Sequence, residues 1–251
     1  AIGKGLMNAA GQQWKAAACD PSEKAREHFS AVTGIPCFRT IAEAVKDADV
    51  VLLAVKPQYA KEALEEAAPL LNGALLISIA AGLPLEKLSA MAKTDRVIRV
   101  MPNTPALAGE GMSCFAPGKA VAAEDIACAE MILSSFGRCR QVPEKLMDAV
   151  TGLSGSGPAY VFEFIMALAD GGVYEGLPRD IALELAAQTV YGSAKMVLAG
   201  TDSPAALRDA VISPAGTTAR GVAALDEGAF RSTVVKAVIA GAERSGELGK
   251  L

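Results

Sequence analysis

The stretch SPAGTT, residues 213–218, places a serine, a proline, two very small residues and two hydroxyls at a predicted helix start. We predict Ser213 as the N-cap and Pro214 as the first helical residue, because a serine oxygen accepts a backbone N–H there and proline has none. The amides that would then face outward are those of Ala215, Gly216 and Thr217. Free N–H groups and the helix dipole both favour a small anion at such a turn. A plain cap between two helices is the other interpretation.

Three apolar runs of strand length lie in the first half of the chain: ADVVLLAV (48–55), ALLISIAA (74–81) and RVIRVM (96–101). In parallel sheets, ligands bind at the carboxyl ends of the strands. The residues near these ends that we predict to contact a nucleotide cofactor are Ala54, Val55, Lys56, Pro57, Ala81, Asn103 and Thr104. Plain structural roles are also open, because Pro57 suits the first position of a helix and Asn103 or Thr104 can cap one.

An acid, Asp20, follows the predicted strand WKAAAC (14–19). At the end of the second strand of a dinucleotide-binding sheet, an acid hydrogen-bonds the adenosine ribose. Asp20 could equally cap the helix predicted from Ser22 to about Val32, and both roles are compatible. Ser22 and the nearby Lys24 and Arg26 could instead meet a 2′-phosphate, so the choice between NAD and NADP stays open.

These residues need elements that position them, and the chain supplies two kinds of pattern. In residues 1–143, apolar strands alternate with amphipathic helices, which predicts a Rossmann-like α/β domain with a parallel sheet. In residues 144–251 the pattern is helical throughout, which predicts an all-α domain. The expected GxGxxG is absent, and AIGKGL at the start indicates a helix, so we expect the first strand and the glycine loop upstream of residue 1.

Composition narrows the classes of function. The net charge of −4 without a basic cluster argues against nucleic acid, and the apolar runs are too short for a membrane span. The five scattered cysteines lack CxxC spacing, which favours reduced thiols in a cytoplasmic protein. With one histidine, His28, neither a metal site nor a Ser-His-Asp triad is expected.

Five motifs occur together in order: LLAVKPQ (52–58), SIAAGL (78–83), RVMPNTP (99–105), TGLSGSGPAYVFEF (151–164) and DAVISPAGTT (209–218). With them the chain resembles the pyrroline-5-carboxylate reductases over essentially its whole length. The resemblance implies reduction of a cyclic imine, L-1-pyrroline-5-carboxylate, to L-proline by NADPH or NADH, the last step of proline biosynthesis. It also implies a homodimer formed through the helical domain and, in many members, a decamer.

The resemblance assigns roles to the residues of SPAGTT. The amides of Gly216, Thr217 and Thr218 would bind the substrate carboxylate, and Ser213 would shape the turn. The hydroxyl of Thr218 would hydrogen-bond near the ring nitrogen, which makes it the predicted catalytic residue. Threonine is a poor acid, so the proton would come with an iminium substrate or from water.

Two further positions follow from the same resemblance. Glu144 would line the substrate pocket and stabilise an iminium, or it would be an acid that the dipole favours in a first helical turn. Ala215 stands where the family usually has glycine. We expect a helical conformation there, in which alanine costs nothing.

Two other hypotheses stay open. A β-hydroxyacid dehydrogenase with the same two-domain plan would use a catalytic lysine on a helix of its second domain, and Lys195 is the candidate. A truncated, non-catalytic oligomer is expected if the first strand and the glycine loop are lacking.

Overall fold

The computed structural model describes residues 1–8 and 14–250. The strands are β1 (Ala18–Cys19), β2 (Cys37–Phe38), β3 (Val50–Leu53), β4 (Leu75–Ser78), β5 (Val97–Met101), β6 (Gly111–Pro117) and β7 (Gly137–Gln141). The helices are α1 (Ile2–Asn8), α2 (Glu23–Thr33), α3 (Ile41–Val45), α4 (Pro57–Ala67), α5 (Leu85–Ala92), α6 (Ala123–Ser134), α7 (Met147–Val150), α8 (Gly157–Tyr174), α9 (Arg179–Ala199), α10 (Pro204–Val211), α11 (Thr217–Glu227) and α12 (Phe230–Lys250). In this part of the chain, no helix is both long and apolar enough to cross a bilayer.

The chain forms two compact units. Unit 1 comprises residues 1–156 and 239–251, and unit 2 comprises residues 157–238. Unit 1 contains every described strand, and unit 2 contains α8 to α11 with the first part of α12. The predicted order of an α/β half followed by a helical half is therefore confirmed.

Unit 1 is built on a five-stranded sheet in the order β3-β4-β5-β6-β7, beside a separate parallel pair, β1 and β2. The Rossmann fold has the strand order 3-2-1-4-5-6. In that numbering, β1 and β2 correspond to the second and third strands, and β3, β4 and β5 correspond to the fourth, fifth and sixth. Among the described residues no strand precedes α1. The placement of the first strand and the glycine loop upstream of residue 1 stays a prediction.

The strand β6 departs from the predicted parallel sheet, because it pairs antiparallel with β5 and parallel with β7. The connection between β5 and β6 is a short 3-10 helix, Thr104–Ala108, that turns the chain back. A parallel pairing would need a crossover of a dozen residues or more. The first predicted strand is also shorter than expected, with only Ala18–Cys19 paired.

The core of unit 1 covers both faces of the sheet. Leu75 and Ile77 of β4 pack with Phe115 on one face, while Leu76 packs with Leu64 and Leu88 of the helices on the other. Because both faces are covered, the strands read as uninterrupted apolar runs rather than as alternating ones.

The division between the units does not coincide with the predicted boundary after Pro143. Residues 144–156 pack on the sheet instead, since Met147 is buried against Cys114 and Ala116 of β6. The end of α12 returns to the same unit, where the buried Ser245 donates to Asp148 Oδ1 over 2.7 Å. Sequence pattern marks the change from strands to helices, but packing places the first helical turns with the sheet.

In unit 2, α8 and α9 form a helical hairpin around small side chains. Ala169, Ala182 and Ala186 are buried together, and a Cβ on Gly172 would lie 3.2 Å from that of Ala182. Large apolar side chains are left exposed on the same helices: Val161, Phe162, Met166, Leu168, Tyr174, Ile181, Leu183, Leu185, Tyr191, Met196, Val197 and Leu198.

A buried carboxylate, Asp125, fixes the start of α6. It accepts from Arg96 through both oxygens, at 3.0 and 2.6 Å, and from the backbone N–H of Ala122 at 3.0 Å. The hydrogen bond from Arg96 is the main cause that lowers the pKa of Asp125, and the hydrogen bond from the backbone N–H of Ala122 also lowers it. A carboxyl whose pKa is lowered in the folded protein stabilises the fold above its unfolded pKa, and this contribution is lost as pH falls through the folded pKa.

We expect Asp125→Asn to lower the free energy of unfolding at neutral pH by about 2 kcal/mol, because Arg96 loses a charged partner. The difference from the unsubstituted protein should shrink as pH falls below about 4, where the unfolded carboxyl begins to bind a proton. Urea unfolding between pH 7 and pH 3 measures it. Glu65→Gln is the control, because the pair of Glu65 with Lys61 is exposed and its loss should cost less than about 1 kcal/mol. A constant difference across this pH range would contradict the assignment.

Candidate functional site

The turn SPAGTT lies before α11 in unit 2, but its conformation differs from the prediction. The N–H of Gly216 donates to Ser213 O over 3.0 Å, which closes a β-turn, and Ala215 has φ 58°. Proline in second place and a positive φ in third place are typical of a type II turn. Gly216 is the N-cap and α11 begins at Thr217, so the prediction of Ser213 as N-cap and Pro214 as first helical residue is wrong.

Of the amides predicted to be free, those of Ala215 and Thr217 have no acceptor among the described residues, whereas that of Gly216 has one. The N–H of Gly216 is used within the turn, and the N–H of Arg220 donates to Gly216 O. Within the described residues, nothing accepts from the N–H groups of Thr217, Thr218 and Ala219. These three amides and the dipole of an 11-residue helix form a turn that can bind an anion, which we name the anion-binding turn. The Gly216 amide leaves the predicted set, and the Ala219 amide joins it.

Two small residues shape this turn in opposite ways. A Cβ on Gly216 would collide with the Ser213 side-chain oxygen, which would have to rotate away, and would lie 3.1 Å from the carbonyl oxygen of Ser213. Ala215 holds the left-handed conformation that glycine adopts without cost, and the expectation of a strain-free helical alanine is wrong. The turn is thus closed at a cost of about 1–2 kcal/mol in backbone strain.

In unit 1, the predicted cofactor residues follow the carboxyl ends of β3, β4 and β5, and the parallel pairing of these strands puts those ends on one edge. Ala54, Lys56, Ala81 and Thr104 are exposed there, and Val55 is half-buried. Pro57 is the first residue of α4, and Lys56 stands at its N-cap without a side-chain hydrogen bond.

Asn103 has a role that the sequence did not indicate. Its side-chain amide donates to Ser154 O over 3.2 Å, and its oxygen accepts from the N–H of Met112 over 2.8 Å. The side chain therefore ties the loop after β5 to the start of β6 and to residues 151–155, and it caps no helix. The contact of Asn103 with a cofactor stays a prediction.

Asp20 directly follows β1, and its Oδ1 accepts from the N–H of Ser22 over 2.8 Å. Ser22 is the N-cap of α2, a place for which the sequence suggested Asp20, and its hydroxyl accepts from the N–H of Ala25. Arg26 donates through Nη1 to the carbonyls of Asp20 and Pro21, both at 2.9 Å. The second carboxylate oxygen of Asp20 has no partner among the described residues, so it can accept from a ribose hydroxyl.

Glu144 is engaged by two groups of unit 1. Its Oε1 accepts from the N–H of Leu85 at the start of α5 over 2.6 Å and lies 3.4 Å from Nη1 of Arg99. Arg99 is buried in β5, and its Nη2 lies 3.9 Å from Oδ1 of Asp148. The sequence indicated neither partner of Glu144, although an arginine inside an apolar strand is a signal that a carboxylate must lie nearby.

The described residues of unit 1 fit a dinucleotide. The strand ends expose small side chains and free backbone, and the carboxylate after β1 keeps one oxygen without a partner. This donor and acceptor set suits ribose hydroxyls and a carboxamide, which need no metal ligands and no nucleophile.

Comparisons with known proteins decide the family. Residues 144–248 match the family model described as pyrroline-5-carboxylate reductase dimerisation, and residues 1–82 match the model described as NADP oxidoreductase, coenzyme F420-dependent. The pyrroline-5-carboxylate reductase of Arabidopsis thaliana is 49% identical over 218 residues, which cover 86% of this chain and 79% of the relative. The chain belongs to the pyrroline-5-carboxylate reductase family.

Solved structures of that family superpose on the whole chain. The Plasmodium falciparum enzyme, solved with NADP bound, has a TM-score of 0.88 at 35% identity and covers 99% of this chain and 93% of its own. The Coxiella burnetii enzyme has a TM-score of 0.92 at 31% identity and covers 100% of this chain and 94% of its own. Pyrroline-5-carboxylate reductase membership confirms the predicted family, the fold class and the use of NAD(P)H.

We expect Ala215→Gly to raise the free energy of unfolding by about 0.5–1 kcal/mol, because relief of the left-handed strain exceeds the added entropy of the unfolded chain. Ala223→Gly, inside α11, is the matched control and should lower it by about 1 kcal/mol. Urea unfolding at one fixed protein concentration measures both. Destabilisation by both substitutions would show that residue 215 is not left-handed.

Proposed function

We propose that this chain reduces the C=N bond of L-1-pyrroline-5-carboxylate to give L-proline, with NADH or NADPH as reductant. The observation that carries the proposal is the set of three free amides at the start of α11, within a chain that belongs to the pyrroline-5-carboxylate reductase family. The substrate is a small cyclic imine with one carboxylate, and the turn offers that carboxylate a matching set of donors.

The turn binds the carboxylate through the N–H groups of Thr217, Thr218 and Ala219. Hydrogen bonds from backbone N–H to an ionised oxygen are stronger than neutral ones, and the dipole of α11 adds to them. Ser213 and Gly216 close the β-turn that leaves these amides exposed. The rigid turn fixes the ring in one orientation, which reduction at a single carbon requires.

Thr218 supplies the one polar side chain that we assign to the ring. Its hydroxyl has no partner among the described residues and can accept from or donate to the ring nitrogen. It orients the imine without supplying the proton, which comes with an iminium substrate or from water. In the reaction the ring carbon of the C=N bond gains a hydride, and the nitrogen ends as a secondary amine.

The edge of the sheet formed by the ends of β3, β4 and β5 holds the cofactor, whose nicotinamide supplies the hydride. After β3, Ala54, Val55 and Pro57 contact the cofactor through backbone and apolar atoms, and Lys56 contacts it through the methylene groups of its side chain. After β4 and β5, the contacts come from Ala81, Asn103 and Thr104. Asp20 binds the ribose, and Ser22 caps the helix that holds Asp20 in place.

Glu144 is assigned no contact with substrate. Its Oε1 is shared by the N–H of Leu85 and by Arg99, which makes it the link between α5 and β5, and its place in the substrate pocket stays a prediction. Its contribution is to hold the segment after β7 on the sheet.

Two copies associate through the helical residues of unit 2. The exposed apolar side chains of α8 and α9 need a partner surface, and residues 144–248 match a model described as a dimerisation region. Light scattering of the purified protein should give the mass of a dimer or of a multiple of it. Assembly to a decamer and location in the cytoplasm stay predictions.

Lys195 carries no second function. It lies on α9 with Nζ 5.8 Å from the centre of the Tyr191 ring, which is an ordinary cation–π contact on one helix face. Family membership favours the imine reductase over a β-hydroxyacid dehydrogenase.

Thr217→Pro tests the carboxylate site, because it removes one free amide at the first helical position, where proline is tolerated. Gly216, with φ −77° and ψ 173°, already has a conformation that a following proline allows. We expect the KM for pyrroline-5-carboxylate to rise roughly tenfold, while Thr217→Ala, which keeps the amide, stays within about twofold. Equal effects of the two substitutions would assign the role to the side chain.

Thr218→Ala tests the hydroxyl in the same assay. We expect kcat/KM to fall roughly tenfold, with most of the loss restored by Thr218→Ser. Lys195→Ala should leave both constants unchanged. A loss confined to Lys195→Ala would assign the catalytic role to Lys195 and contradict the role of Thr218.

A further inference from the structure

The turn that follows β1 carries a carboxylate at the place where adenosine dinucleotides differ. Asp20 is half-buried, its Oδ1 is fixed by the N–H of Ser22 at 2.8 Å, and Oδ2 is without a partner among the described residues. In a Rossmann-like domain, this position after the second strand faces the 2′ and 3′ oxygens of the adenosine ribose. NADH has a hydroxyl at the 2′ oxygen, and NADPH has a phosphate there.

A carboxylate treats these two groups in opposite ways. It accepts hydrogen bonds from the 2′ and 3′ hydroxyls, and such charge-assisted bonds are among the strong ones. A phosphate offers no hydroxyl at the 2′ position and brings negative charge, which the carboxylate repels. Selection against the phosphate then comes from repulsion as well as from the preferred partner.

The cations of this turn do not offset Asp20. Arg26 is held against the backbone by two hydrogen bonds from Nη1, to the carbonyls of Asp20 and Pro21. Lys24 is exposed in the first turn of α2, next to the acid Glu23. Residues 20–26 thus carry two acids and two bases, and the acid closest to the strand end has the free oxygen.

We propose that Asp20 makes this chain selective for NADH over NADPH by binding the ribose diol and repelling the 2′-phosphate. The inference rests on the proposed function only in taking a nicotinamide dinucleotide as the reductant. It sets this chain apart from its Plasmodium falciparum relative, which was solved with NADP.

The test is Asp20→Asn in the full-length protein. Asparagine keeps an oxygen that accepts from the N–H of Ser22, so the cap of α2 is retained while the charge is removed. Fluorescence titrations with NADH and with NADPH, without imine substrate, give the two dissociation constants. We expect the unsubstituted protein to bind NADH at least roughly tenfold more tightly. In Asp20→Asn the ratio of the two constants should move roughly tenfold towards NADPH.

Glu23→Gln is the matched control, because it removes a neighbouring exposed acid from the first turn of α2. In this variant the ratio of the dissociation constants for NADH and NADPH should stay within about twofold of that of the unsubstituted protein. An exposed charge that does not contact the ribose contributes little to binding. An equal shift in both variants would assign selectivity to the general charge of the turn and overturn the role of Asp20.

The remaining outcomes separate this inference from the proposed function. Tighter binding of NADPH than of NADH by the unsubstituted protein overturns the inference, even if the imine is reduced. Selective binding of NADH without imine reduction supports it and counts against the proposed function. Binding of neither dinucleotide by a folded full-length chain overturns both.

Discussion

Parallel pairing of β3, β4 and β5 is the constraint on which unit 1 depends. Parallel strands must be joined by crossovers, so α4 and α5 cover one face of the sheet and bury Leu76 beneath Leu64 and Leu88. The same pairing brings the residues after three strands to one edge, although they are separated by tens of positions in the chain. The cofactor site that we propose at this edge is a consequence of this pairing, since none of these residues is chemically distinctive alone.

A buried arginine ties distant parts of the chain to that sheet. Arg99 lies in the middle of β5 and faces Glu144 and Asp148, and Asp148 in turn accepts from Ser245 near the end of α12. Burying a guanidinium is favourable only where carboxylates and further hydrogen bonds surround it. The segment after β7 and the last helix therefore pack with the sheet, and Glu144 becomes part of this network.

The anion-binding turn depends on a different balance, between backbone strain and exposed donors. A β-turn that ends at Gly216 stops the chain from entering the helix until Thr217, which leaves the next three amides without acceptors. Ala215 holds a conformation that suits glycine better, within the turn that the hydrogen bond from Gly216 to Ser213 closes. Strain of this kind occurs where the surrounding structure fixes a functional geometry.

The sequence by itself determined the family, the alternation of strands and helices, and the positions of residues that follow strand ends, because these depend on local periodicity and on motifs in a fixed order. Tertiary structure decided what each side chain does. Asn103 and Glu144 were chemically suitable for a ligand, yet packing brings them to Met112, Ser154, Leu85 and Arg99. The antiparallel β6 follows from the reversal after β5, and the left-handed Ala215 lies in a turn closed by a backbone hydrogen bond. Neither feature can be recognised from composition or periodicity, because both depend on the path of the backbone in the folded chain.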